Sequence, residues 1–457
     1  MKMRKRTSAL VLAGLLLISS IAGCSSQETS SEISSQAPGS TESSSTAQEE
    51  PTDEIPTIRF ASRYAASDPA GKIMYDYIDE WAQQNKDKIN LMHETVVGDE
   101  LRTKIAADIA ADNLPDIFDY WGGPAYTPAF VDADLIISMD EYFDKSTVTS
   151  AEDYDQSFFS RTTYKDVKCV LPGEDWLNAW IANKEIFDKF NLEIPKTYEE
   201  LLEVSEVLIA NNIYPLAFGS KGGNPSHLVA AEIYNQFENG TKELSELTET
   251  ANIDTENMRK TLDLITEWRE KGLVPRDLTA TGDWGPYTAV YDEGRAAIMN
   301  VYTWQLPNLS QETADKSVII DPIQMPGCSI DVTNFCQSGG TYGTMASKAS
   351  WNDPTKQNAM ILFLDFLSSE DYATVRFNAL GNIPPRIFDL DTASTTTPFM
   401  KEIIATQSSK TNRGSNFQRM PGTSAFASFQ SALDEFVVGG ITGEELISKV
   451  SSALKEG

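Results

Sequence analysis

Between Ile58 and Phe118 the apolar pattern changes period four times, and the first helix opens on a capping signal. Ile58-Arg59-Phe60-Ala61 reads as a short strand. Asp68-Pro69 then offers a capping carboxylate followed by proline at the first helical position, where a backbone N–H has no helical partner to lose. Met74, Tyr77, Ile78 and Trp81 follow at the spacing of one helical stripe. Ile89 to Val97 reads as a second strand. Asp99 to Ala111 reads as a helix with Leu101, Ile105 and Ile109 along one side, and Leu114-Pro115-Asp116-Ile117-Phe118 breaks it and enters a third strand. Strands and helices alternating over such short connections predict a parallel βαβαβ unit.

The pattern resumes after residue 170. Thr197 and Glu200 form a capping box ahead of Leu201, Val204 and Leu208. Asp353-Pro354 predicts a helix start before Met360, Phe363, Leu364 and Leu367, and Thr442 with Glu445 predicts another before Leu446, Val450 and Leu454. These stripes face a core and carry no chemistry. About 400 residues lie in this alternating region, more than one hydrophobic core usually spans, so two domains are expected.

The N-terminus is of a different kind. Lys2, Arg4, Lys5 and Arg6 precede an apolar run from Leu10 to Ile18, and Ile21-Ala22-Gly23-Cys24 closes it. This resembles a bacterial lipoprotein signal with its lipobox; the run is short for a membrane span. The resemblance implies cleavage after residue 23 and a lipid on Cys24. Residues 25–56 are mostly Ser, Thr, Glu, Gln and Pro and hold seven acidic side chains and no basic one. Such a segment cannot bury enough surface to order itself, and its charge extends it, so it reads as a tether.

The formal charge of −30 becomes −34 without residues 1–23 and about −27 on the body alone. That argues against nucleic acid as a partner and against anionic ligands drawn from a distance. Besides Cys24 there are only Cys169, Cys328 and Cys336, and the histidines are His93 and His227 alone, so no zinc motif or other metal set is expected. Cys328 and Cys336 are close enough in sequence to form a local disulfide in an oxidising space, or to stay as idle thiols.

Six segments, in order, resemble the extracellular (family 1) solute-binding proteins of ABC sugar importers, the maltose-binding-protein-like class. They are Asp112-Asn113-Leu114-Pro115-Asp116-Ile117-Phe118, Trp180 to Phe187, Pro195 to Leu201, Ile213-Tyr214-Pro215-Leu216-Ala217, Asp283-Trp284 with Gly294 to Met299 and Trp304, and Gly381-Asn382-Ile383-Pro384-Pro385-Arg386. The similarity runs from about residue 57 to 457. Two positions depart from the pattern. Ile181-Ala182 stands where the family carries a tyrosine, and Tyr302 stands where it carries glycine.

The resemblance implies an α/β, two-lobed periplasmic-binding-protein-like fold of class II, hinged, with the ligand cleft between lobes. It places an N-terminal lobe at 57–172 plus about 319–355 and a C-terminal lobe at 173–318 plus about 356–457. Doubly wound sheets bind ligands beyond the carboxyl ends of their strands. That draws attention to Arg63 and Tyr64, to Asp119, Tyr120 and Trp121, and to Asp175, Trp176 and Asn178, and the resemblance itself adds Asp283, Trp284, Trp304 and Arg386 from its motifs. Indole and phenol faces suit the apolar face of a pyranose, and planar polar groups suit its hydroxyls. Trp81, Trp268 and Trp351 lie on helical positions and are read as structural, and His227 as a loop or capping residue. The expected function is a monomeric, lipid-anchored receptor on the outer face of the cell membrane of a Gram-positive bacterium. It would deliver a neutral sugar or oligosaccharide to ABC permease subunits served by a separate ATPase, with no cofactor and no catalysis. A receptor for a peptide or polyol, and a surface glycosidase with a carboxylate pair, are the alternatives.

Overall fold

The computed structural model describes residues 54–98, 100–387 and 397–456. The expected leader, Cys24 and the tether up to residue 53 lie outside the described residues. Two sheets organise the body. In chain order the strands of these two sheets are β1 (Thr57–Ser62), β2 (Asn90–Thr95), β3 (Ile117–Trp121), β4 (Leu171–Glu174), β5 (Asn178–Asn183), β6 (Tyr214–Leu216), β7 (Ala296–Tyr302), β8 (Ser317–Ile320) and β9 (Tyr342–Ala346). The first sheet has the order β2-β1-β3-β9-β4 and the second β8-β5-β7-β6. β1 pairs parallel with β2 and β3, as the alternating pattern predicts, whereas β9 inserts antiparallel between β3 and β4. In the second sheet β5 runs antiparallel to β7 and β8, and β7 runs parallel to β6.

The capping signals act locally as read. The Asp68 carboxylate accepts from Gly71 N at 2.6 Å and opens the helix Pro69–Gln84, whose Met74 and Ile78 are buried while Tyr77 and Trp81 are half-buried. Thr197 Oγ1 accepts from Glu200 N while Glu200 Oε2 accepts from Thr197 N and Lys196 N, closing the box on the helix Tyr198–Ala210. The Thr442–Glu445 box opens the helix Gly443–Glu456 in the same way. Asp353 does not start a helix. Its carboxylate closes a turn by accepting from Thr355 N and Oγ1, and the helix begins at Gln357.

Packing moves the expected lobe boundaries. Met360, Phe363 and Leu364 of the helix Gln357–Leu367 bury against Ile58, Phe60 and Ile78, so this segment belongs with the first sheet and not with the C-terminal lobe. β8 in turn pairs with β5, so residues 317–320 belong with the second sheet and not with the N-terminal lobe. Trp268 and Trp351 are fully buried core residues, and Trp81 stacks on Phe366 at 4.6 Å. Cys169, Cys328 and Cys336 are free thiols, Cys169 and Cys336 buried. No described helix is long and apolar enough to cross a membrane.

Candidate functional site

The carboxyl ends of β1, β3 and β7 and the amino ends of the antiparallel β5 and β9 lead into one cavity of about 940 Å³. On the first sheet's side, β1 runs into Arg63 and Tyr64, β3 ends on Trp121, and β9 begins at Tyr342; all four side chains line the cavity. Its floor is an ion cluster. Glu174 accepts from Arg63 Nη2 and, at 2.8 Å, from Arg376 Nη2. Burial alone pushes the Glu174 carboxyl up, but the two guanidiniums outweigh it and hold the group below its ordinary range. Gly173 makes this possible: a Cβ there would lie 2.4 Å from Arg376 Nη1. The Arg63 guanidinium also rests over the Tyr342 ring at 4.1 Å.

On the second side, the loop after β6 presents Lys221, Gly222 and Asn224 to the cavity. The Asp434 carboxylate holds that loop, accepting from Gly222 N at 2.6 Å and Gly223 N at 2.9 Å, and Gln430 donates to the Gly222 carbonyl. Asp283 donates its N–H to the Asn224 carbonyl and caps the helix Trp284–Asp292 from a left-handed φ of 67°. This brings Trp284 beside Trp304, ring centroids 4.4 Å apart and planes at 89°.

Of the predicted residues, Arg63, Tyr64, Trp121, Trp176, Asp283, Trp284 and Trp304 all line the cavity, and Arg386 does not. Arg386 donates to Thr149 Oγ1 at 2.9 Å and lies over the Tyr154 ring, pinning the late loop to the first sheet's side. The remaining four are also outside the lining, each with a partner that accounts for it. Asp119 is buried beneath the floor and accepts from Thr344 Oγ1 at 2.6 Å; burial pushes its carboxyl up to about 6 against the pull of Arg376 and Thr344. Tyr120 packs into the core against Phe130. Asp175 joins crossing segments: it accepts from Arg161 Nη2 at 2.5 Å and from Trp176 N and Gly340 N, both at 2.8 Å. Asn178 is buried between Glu232, to which it donates at 2.9 Å, and Gln337 N, from which it accepts at 2.7 Å.

Sequence reasoning missed Arg102, Tyr342, Asn224, Asn382, Gln418 and Gln430, all of which line the cavity. The Arg102 guanidinium covers Trp121 at 4.2 Å, so that indole is not an open platform. A usable signal preceded Tyr342: Gly339-Gly340, of which Gly340 has no room for a side chain, since a Cβ would meet Asp175 Cα at 2.4 Å. His227 does reach the cavity, from the first turn of the helix Ser226–Asn235, buried and bonded through Nδ1 to the Gly223 carbonyl at 2.8 Å. Among the described residues no three His, Cys, Asp or Glu side chains are grouped to hold a metal ion.

The model of the family described as bacterial extracellular solute-binding protein matches residues 65–374. Among solved structures, a chitin oligosaccharide binding protein aligns with a TM-score of 0.74 at 18% identity, covering 87% of this chain and 98% of its own. A protein from a study of xylan utilization by Caldanaerobius polysaccharolyticus aligns at 0.72 and 20% identity, covering 87% of this chain and 99% of its own. Maltose-bound MalE3 of T. maritima aligns at 0.65 and 16% identity, covering 88% and 99%. Among curated proteins no sequence matches. At these identities the structural likeness speaks for the fold, an α/β periplasmic-binding-protein-like one.

Proposed function

The chain belongs to the bacterial extracellular solute-binding protein family, whose members are receptors rather than enzymes, and we propose that it captures a neutral sugar or oligosaccharide for an ABC importer. The observation that carries this reading is the lining of the cavity. Trp176, Trp284 and Trp304 offer aromatic surface, and Arg63, Glu174, Asn224, Asp283 and Asn382 offer planar polar groups within the same walls. A pyranose needs both. Its C–H face gains from stacking on an indole, and each buried hydroxyl left unpaired costs about 1–3 kcal/mol. The acidic body has no influence on an uncharged guest. The names of the three similar structures, with chitin oligosaccharide, xylan and maltose, agree in class.

A guest touching both walls favours the arrangement in which they approach, so binding and hinge closure are coupled, and closure presents a matched surface to the permease. Lipid on Cys24 and the acidic tether would hold the receptor at the outer face of the membrane, as a monomer. Labelled palmitate entering the wild type and not Cys24→Ser tests the anchor. For the ligand, a thermal-shift panel of sugars, polyols and peptides is expected to raise the melting temperature with sugars only, because a ligand of the native state stabilises it. A rise with peptides or polyols alone overturns the sugar reading, and cleavage products from labelled oligosaccharides overturn the receptor reading as well.

A further inference from the structure

Tyr302, the last residue of β7, is fully buried and does not itself line the cavity, yet three cavity tryptophans meet on its ring. Trp176 stands edge-on to it at 5.3 Å and 89°. Trp284 stands at 5.7 Å and 78°. Trp304 runs nearly parallel to it at 6.0 Å and 13°. The three indoles come from three separate pieces of chain: the crossing before β5, the first position of the helix Trp284–Asp292, and the turn after β7. Trp284 and Trp304 also touch each other, ring centroids 4.4 Å apart, and the buried ring links Trp176 to that pair.

The result is a corner and not a flat platform. Trp304 lies within 13° of the Tyr302 plane, so Trp176 and Trp284 both stand steeply to it. One pyranose can lay its apolar face on only one of these surfaces, and the others gain a partner only from a further ring. The glycine that the family motif carries at this position would leave the three indoles without their common support.

We infer that Tyr302 is a specificity-determining positioning residue, which holds Trp176, Trp284 and Trp304 as one corner and gives the cavity its preference for a guest of two or more sugar rings. This rests on the sugar reading of the cavity. The test is calorimetry with maltotetraose, xylotetraose and chitotetraose, followed by the shortest member that binds in the best series. Tyr302→Phe keeps both affinities within about threefold, since the ring remains. Tyr302→Ala lowers tetramer affinity by about tenfold or more and leaves the short sugar within about threefold, because a longer guest depends on several indole faces at once and a short one on a single face. Tyr302→Leu keeps part of the buried apolar volume without a ring; it follows the alanine pattern and carries the test should Tyr302→Ala fail to fold. Tetramer and short-sugar affinities that fall together, or that do not change, overturn the inference while the sugar reading stands. A wild type that binds none of these sugars, or binds a monosaccharide as tightly as the tetramer, overturns the inference; the sugar reading falls only if no sugar of the thermal-shift panel binds.

Discussion

Trp304 is half-buried between a perpendicular indole and a parallel phenol, so its position is set by packing while part of its surface faces the cavity. Trp304→Ala is expected to weaken sugar binding by about 1–3 kcal/mol, the range of aromatic stacking platforms, with little change in melting temperature; calorimetry and a thermal melt on the same sample check both. The motif around Trp284 and Trp304 made these two legible in the sequence. Asp119, Asp175 and Asn178 were legible only as polar residues near strand ends. A carboxylate or amide there looks the same whether its partner is a ligand or another stretch of the chain, and in each case the chain supplies the partner. Glu232 had no sequence signal at all. It is fully buried, with Asn178 and Trp180 donating to its two oxygens. Burial pushes its carboxyl up to about 7, the two donors pulling back only in part. Above the ordinary value of 4.5 the unfolded chain has released this proton while the folded chain keeps it, so stability falls as pH rises from there through 7. Melting temperatures across that window should decline less steeply in Glu232→Gln than in the wild type; equal slopes would assign the pH dependence to other groups.

At the scale of elements, helices were the most readable feature because their signals are local. The Thr197–Glu200 box needs only four consecutive residues. Thr197→Ala should cost about 1 kcal/mol of stability in a denaturant melt and leave ligand affinity unchanged, since the helix lies outside the cavity lining. Asp353-Pro354 shows the limit of such signals. The same carboxylate that caps a helix also closes a turn, and here Thr355 takes it before the helix begins. Strand partnership was less readable still. The apolar stripe of Met360, Phe363 and Leu364 says that the helix has a buried face, not which sheet it faces, and that choice moved it from the expected C-terminal lobe to the first sheet.

The whole molecule is a receptor whose two sheets both point strand ends at one cavity. If the guest draws the walls together, small-angle scattering with the best sugar of the panel at saturation will give a smaller radius of gyration than the free protein; an unchanged radius would mean binding without closure. The order of six weak motifs was enough to place the chain in its family, and the period changes between Ile58 and Phe118 were enough for a parallel βαβ start. Both are properties of neighbours along the chain: hydrophobic period, caps and short connections. The insertion of β9 between β3 and β4, the two arginines on Glu174, and the meeting of Trp176 with Tyr302 join residues far apart in the chain. Only the folded chain decides such contacts, because they depend on which buried faces pack together, and any apolar face satisfies a periodicity equally well.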